Sequence, residues 1–243
     1  MKQRLDREMV KRGLVPSRSQ AESWIKLGDV LVDGRAAVKP GLMVAEDSMI
    51  TLTADEQYVS RAGLKLASVA KLLNLDFRDK TVLDVGSSTG GFTQYALRHG
   101  AKKVFAVDVG TDQLHPSLRR DERIELHEKT DIRNFTLQDK PDIIVIDVSF
   151  ISLREILPHL AGELSGPTTQ IAAMVKPQFE AGKHQVNKGV IKNESIRRQI
   201  LKDFELWAKQ YFVISDKRDS EVAGGKGNRE RFYLLKAIRV GKE

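Results

Sequence analysis

The sequence predicts an α/β fold, a mostly parallel, twisted, doubly wound sheet preceded by a small α+β domain. Three observations predict it. Short apolar runs, "TVLDV", "KVFAVD", "RIEL", "DIIVIDV", "TQIAAMV" and "YFVIS", recur after residue 80 with helical stretches between most of them, and such alternation implies parallel strands covered by helices on both faces. Ahead of them, two short helical patterns and a hairpin fill the start of the chain. Between the two patterns "TADEQ" is polar, which sets the domains at 1–54 and 62–243 with a linker over 55–61.

Taken in order, residues 2–13 place Leu5 and Met9 one turn apart among charges, and Gly13 closes the turn, so a short amphipathic helix is expected. "PSRSQAESWIKLGDV" predicts a second helix, capped by Ser17 or Ser19, with Ala21 and Ile25 inward and a stop at Gly28. "VLVDGRAAV" reads as a hairpin turning at Asp33-Gly34, and "SMITL" as a third strand. A helix over 62–74 then leads into the six apolar runs.

Composition narrows the function. With 243 residues the chain can bury a sizeable core, and it has no cysteine, which removes disulfides, thiolate metal ligands and thiol nucleophiles. No metal is expected. The start "MKQRLDREMVKRGLV" lacks the apolar core of a signal peptide and no run approaches a membrane span, so a cytoplasmic protein is expected. The net charge of +7 favours a polyanionic partner. Within the first domain, residues 1–39 hold nine Lys/Arg against five Asp/Glu.

A glycine-rich turn, "TVLDVGSSTGGFTQYA", joins a buried strand to a helix. Gly86 permits the tight turn, and Gly90 and Gly91 are read as letting a ligand approach the backbone. The spacing matches neither the dinucleotide fingerprint nor the phosphate loop. Asp84 before the glycines would oppose a pyrophosphate but suits an ammonium, while free amides around Ser87, Ser88, Thr89 and Phe92 can meet a carboxylate. S-adenosylmethionine carries both groups. Asp108 ends the next strand, followed by Val109, where an acid can accept bonds from ribose hydroxyls. Asp131, followed by Ile132, comes after the third strand and could hold the adenine amino group. Taken singly, each of these acids also fits a strand-end cap.

The acceptor follows from what the chain lacks. Methylation of a pyrimidine at carbon five needs a cysteine adduct, and there is no cysteine. Exocyclic amines call for an Asp/Asn-Pro-Pro-aromatic element where this chain has "IDVSF". An alcohol oxygen remains. A sugar hydroxyl needs deprotonation or alignment with the methyl group, and a lysine serves as base when burial beside another cation brings its pKa down from about 10.4. Lys176, at the end of "TQIAAMV", and Lys65 in "SRAGLKL" are the candidate pair, with Asp147 and Glu230 to orient them. Glu221 is a second acid near the carboxyl end; Glu230 is preferred on its motif, "GNRERF".

Three resemblances cover nearly the whole chain. "SRSQAESWIKLGDVLVDGRAAVKPG" resembles the S4 RNA-binding domain, and the resemblance implies a phosphate-facing surface from Arg4, Arg7, Lys11, Arg18, Lys26 and Lys39, extended by Arg61 and Lys188. The turn with its three acids resembles the class I, Rossmann-like methyltransferases. Lys65, Asp147, Lys176 and Glu230 match the Lys-Asp-Lys-Glu tetrad of FtsJ-type ribose 2′-O-methyltransferases, and with "DVGSSTGGFT" and "VKPQFEAG" the chain resembles the TlyA family. This implies methylation of cytidine ribose in ribosomal RNA with S-adenosylmethionine as cofactor, ribosomal RNA or subunits as partners, and a monomer. "MKQRLDREMVKRGL" resembles the longer subtype, associated with targets in both subunits. One departure is Ser87, where the family's turn commonly has alanine. Members also bear the name haemolysin, but a mean hydropathy of −0.34 does not suit a membrane-active protein.

Overall fold

The structure is a computed structural model that describes residues 2–15, 17–53, 58–182, 186, 189–224 and 227–238, without the side chains of Ser19, Ser23 and Leu27. Lys188 lies outside the described residues. The chain divides into two compact units, Met1–Arg61 and Ala62–Glu243.

In the first unit β1 (Gln3–Arg4) runs into α1 (Leu5–Lys11), followed by α2 (Arg18–Leu27), β2 (Val30–Val32), β3 (Arg35–Ala36), β4 (Met43–Val44) and β5 (Ile50–Leu52). The first helix is shorter than the sequence suggests. Gln3 and Arg4 pair with Val44 and Met43, and the Leu5 amide donates to the Leu42 carbonyl, so the backbone enters the helix only after leaving a strand ladder. Ser17 caps α2 by accepting from the Gln20 amide, and Gly28 ends it at φ 85°. Asp33 and Gly34 both take positive φ, the geometry of a two-residue turn whose twist matches its strands. Leu5, Met9, Ala21 and Ile25 are fully buried and form the seam between the helices.

The second unit opens with α3 (Arg61–Ala70), then β6 (Thr81–Val85), α4 (Gly91–Arg98), β7 (Lys103–Val107), β8 (Ile124–His127), β9 (Ile143–Ile146), α5 (Leu157–His159) continued by a π-helical turn, β10 (Gln170–Val175), α6 (Pro177–Glu180), α7 (Glu194–Ala208), β11 (Phe212–Asp219) and β12 (Arg231–Ala237). The seven strands are ordered β11-β12-β10-β9-β6-β7-β8. Pairings from β10 through β8 are parallel; β12 is antiparallel to both β10 and β11. β9 is buried at every position, as expected of a central strand covered on both faces. Between β8 and β9 the expected crossover helix shrinks to a 3-10 turn, Ile132–Asn134, capped by Asp131. α3 stops at Ala70, and Asn74 at φ 52° turns the chain toward β6. One face of the core joins Ile144, Ile146, Ile171 and Val175 to Leu201 and Phe204 of α7. Removing a side chain such as Phe204 from that core would cost about 3–5 kcal/mol.

Candidate active site

Strand register gathers the candidate residues. Ile146 pairs with both Val85 and Ala173, and Val175 pairs with Arg231. Asp147 leaves β9, Lys176 leaves β10 and Glu230 enters the antiparallel β12, so all three stand at the carboxyl edge of the parallel strands, where α/β sheets bind ligands. Lys65 joins them from α3.

The four side chains form two short ion pairs. Lys65 Nζ lies 2.6 Å from Glu230 Oε2, and Lys176 Nζ lies 2.6 Å from Asp147 Oδ1. Lys176 also donates to Ser149 Oγ at 2.7 Å. Lys65, Lys176 and Glu230 are 7, 8 and 2% exposed, depths at which a charge persists only with a partner. Gly224 leaves room for the first pair, because a Cβ there would sit 2.6 Å from Glu230 Oε1. Glu221 is exposed. The Ser149 contact is a hydrogen bond, whereas the Asp147 contact is a close charge pair in which Oδ1 accepts no hydrogen bond among the described residues.

Beside these pairs, Gly86, Ser88, Asp108, Val109, Asp131 and Ile132 line a cavity of about 450 Å³, whose rim also includes Asp147, Ser149 and Phe150. Gly86 at φ 80° packs on the Asp147 carbonyl, which a Cβ would approach to 2.8 Å, so the turn and the catalytic edge are built against each other. Asp108 is held by the Ser88 amide at 2.8 Å and the Gly110 amide at 2.7 Å. Asp84 is 1% exposed; Thr93 donates to its Oδ2 at 2.6 Å and its Oδ1 has no partner among the described residues. Burial, offset in part by the Thr93 hydrogen bond and reinforced by the charges of Asp147 and Asp108, pushes this carboxyl up to about 7. Buried Ser87 Oγ is likewise without a partner. Two unpartnered buried polar atoms at a glycine turn, next to a cavity of ligand size, fit a nucleoside cofactor with a cationic end.

Several expectations change. Gly90 has a packing reason as well: at φ 91° a Cβ would strike Leu114 and Leu118 at 2.6 and 2.5 Å. The Phe92 ring is buried against Phe232. Gly91 starts α4, and Thr89 is exposed beside it. Asp131 lines the cavity, yet its carboxylate is held by the Arg133 amide at 2.9 Å and guanidinium at 2.6 Å, so capping is its first role. In the first unit Arg4 and Arg18 do not point freely at solvent, since both guanidinia bind fully buried Asp6 at 2.8 Å. Lys11 lies 3.8 Å from Glu46; Arg7, Lys26 and Lys39 are exposed and Arg61 half-buried.

Sequence reasoning missed Thr93, Ser149, Phe150 and Glu180. Phe150 is 93% exposed at φ 68°, an uncommon backbone state for a bulky residue, with its ring 5.4 Å from that of Phe179. Its only signal was an aromatic just past a strand end, which reads equally as core.

Comparison with known proteins agrees with this geometry. Residues 58–237 match the family described as FtsJ-like methyltransferase, and residues 3–50 match the S4 domain. The 16S/23S rRNA (cytidine-2'-O)-methyltransferase TlyA of Mycobacterium tuberculosis is 38% identical over 96% of this chain and 89% of its own length. The 23S rRNA (cytidine-2'-O)-methyltransferase TlyA of Campylobacter jejuni is 36% identical over 92% of this chain and 96% of its own. A solved structure from Streptococcus thermophilus that carries the hemolysin name superposes with a TM-score of 0.73 at 38% identity, covering 98% of this chain and 89% of that one. Among the described residues no helix is long and apolar enough to cross a membrane.

Proposed function

The chain belongs to the TlyA family of FtsJ-like methyltransferases, and from that premise we propose that it transfers the methyl group of S-adenosylmethionine to the ribose 2′-hydroxyl of cytidine in ribosomal RNA. The observation that carries this reading is the pairing of Lys176 with Asp147 and Lys65 with Glu230 at one sheet edge, beside the cavity. When bound, the cofactor supplies an electrophilic methyl on a sulfonium. Asp108 would accept from its ribose hydroxyls, Asp131 and Ile132 would border its adenine, and Asp84, with its unpartnered Oδ1, would meet its ammonium. Lys176, set between Asp147 and Ser149, would align the 2′-hydroxyl and, as the neutral amine, would take its proton, leaving the oxygen to accept the methyl group and the cofactor sulfur to depart as a neutral thioether. Lys65, held by Glu230, stabilises the charge that develops on that oxygen. Phe150 offers an exposed aromatic face on which the acceptor base can stack.

The first domain, residues 1–54 with a linker over 55–61, supplies RNA affinity through Arg7, Lys26 and Lys39, with Arg4 and Arg18 presented by Asp6, and with Lys11 and Arg61. A ribosomal substrate places the reaction in the cytoplasm. Nuclease mapping with mass spectrometry of ribosomal RNA from cells with and without the protein tests the proposal. A methylated cytidine ribose that disappears with the protein is the expected result. Unchanged maps, with intact binding of RNA, would leave an RNA-binding assembly factor instead.

A further inference from the structure

Glu180 is a buried carboxyl group that the chemistry above does not use. It ends α6, four residues after Lys176, and its side chain is 1% exposed. Its two oxygens both reach across to the loop after β9: Ser152 Oγ donates to Oε2 at 2.6 Å and the Leu153 amide donates to Oε1 at 2.7 Å. Ser152 Oγ in turn accepts from the Arg154 amide at 3.1 Å, and the Arg154 guanidinium lies 3.5 Å from the same carboxylate and over the Trp207 ring of α7. The segment so fastened carries Asp147, Ser149 and Phe150. Its backbone is strained at Phe150, and such a state persists only where the surroundings over-determine it.

Between this loop and the Lys176 turn the described links are of two kinds. Lys176 to Asp147 and Ser149, and Phe150 to Phe179, involve groups that must face substrate. The Glu180 bonds involve none. We propose that Glu180 is a positioning residue for methyl transfer: it clamps the loop of Asp147, Ser149 and Phe150 to the turn of Lys176, and so sets the position of the Lys176 amine against the acceptor hydroxyl. The inference rests on the functional reading above for its catalytic consequence, while the clamp itself is a statement about the loop.

The experiment compares Glu180→Ala, Glu180→Gln and Ser152→Ala in the full chain. Three quantities are read: hydrogen exchange at the amides of 149–153, cofactor affinity by calorimetry, and single-turnover methylation of ribosomal RNA against RNA concentration. Glu180→Ala should speed exchange and lower the maximal rate about ten- to a hundredfold, the scale of a small misplacement of reacting groups, with cofactor affinity and the RNA half-saturation concentration within about twofold. Glu180→Gln should rescue the rate to within about threefold, because Oε1 still accepts from Leu153 and the amide can donate to Ser152. Ser152→Ala, which leaves the carboxyl in place, should shift rate and exchange in the direction of Glu180→Ala and stands in for it if that variant does not fold. Unchanged exchange, an unchanged maximal rate in folded Glu180→Ala, a glutamine variant as impaired as the alanine one, or an equal loss of cofactor affinity would each overturn the proposal. Absence of methyl transfer by the unmodified protein would instead overturn the functional reading, and the exchange measurement would still decide the clamp.

Discussion

Asp6 in the first unit and Asp84 in the second both present almost no surface to water, 0 and 1% exposed, but Asp84 lies deeper, and the two end in opposite electrostatic states. Asp6 receives the guanidinia of Arg4 and Arg18, whose hydrogen bonds and charges outweigh burial and hold its carboxyl down at about 2. Asp84 receives one hydroxyl, from Thr93, and burial pushes it up to about 7. The first acid is satisfied by its own chain, so it fixes the directions of two arginines and asks for nothing more. The second keeps an oxygen with no partner among the described residues, on the strand that leads into the glycine turn. The difference separates a buried acid that is satisfied within its own chain from one that is left with an unmet oxygen.

The strongest break of this contrast lies at the sheet edge, where buried Lys176 stands 2.6 Å from Asp147 and donates to Ser149. Lys176→Arg keeps the positive charge, yet guanidinium does not give up its proton in this pH range and its planar fork does not fit between Asp147 and Ser149. Single-turnover methylation should fall by about a hundredfold or more, with cofactor and RNA binding nearly unchanged. Near-normal rates across pH in the folded variant would remove Lys176 as the base and leave it an aligning role.

Next in size is Asp84→Asn. A charge-assisted bond to the cofactor ammonium is lost, so affinity should drop by roughly ten- to a hundredfold in calorimetry. The pH dependence gives a second signature. The ligand-free carboxyl keeps its proton to about 7, and only the ionised form pairs with an ammonium, so cofactor affinity should rise as pH increases through 7 and binding should release a proton. Because an unfolded aspartate ionises near 4, the same group makes ligand-free stability decline as pH rises between about 4 and 7. In Asp84→Asn both slopes should flatten. Persistence of either slope would assign the titration to another group.

Asp6→Asn tests the satisfied acid. It removes the charge that Arg4 and Arg18 share, which should destabilise the first unit by about 1–3 kcal/mol and loosen the presentation of both arginines. The wild-type contribution, from a depressed carboxyl, is present above about 4 and lost as pH falls through about 2. Urea unfolding of the full chain and cofactor titration separate the units: cofactor affinity should not move.

What the sequence revealed follows the same division. β9 was legible because "DIIVIDV" is apolar at successive positions, and strand ends carrying Asp147 and Lys176 follow from its register with β10. Three features were not. Asp6 and Glu8 stand among charges at a helix start and read as solvated: Arg4 and Arg12 are near in sequence, but nothing local reports that Arg18, twelve residues on, closes over Asp6. The direction of Gly90 depends on Leu114 and Leu118, some twenty-five residues away and placed by tertiary packing. The exposure of Phe150 depends on a positive φ that no residue type there advertises. Chemistry carried by residue type was readable; orientation set by distant partners was not.

The smallest predicted effect concerns Arg7, the counterpart of Arg4 and Arg18 without a buried acid behind it. It is exposed on α1. An arginine already bonded to Asp6 offers phosphate only the donors left over, whereas an exposed one can give up its whole solvation shell to a phosphate and release a counterion on doing so. Each phosphate contact contributes about one unit to the slope of log affinity against log salt. Arg7→Ala should therefore weaken RNA binding a few-fold at moderate salt and reduce that slope by about one, with thermal stability and methyl transfer at saturating RNA unchanged. Arg4→Ala should instead lower the stability of the first unit, because it uncovers part of Asp6, and its effect on the salt slope should be the smaller of the two. A slope that responds to Arg4 and not to Arg7 would mean that the acid-held arginines, rather than the free ones, carry the phosphate contacts, and the distinction drawn between the two kinds of charge would fail for this domain.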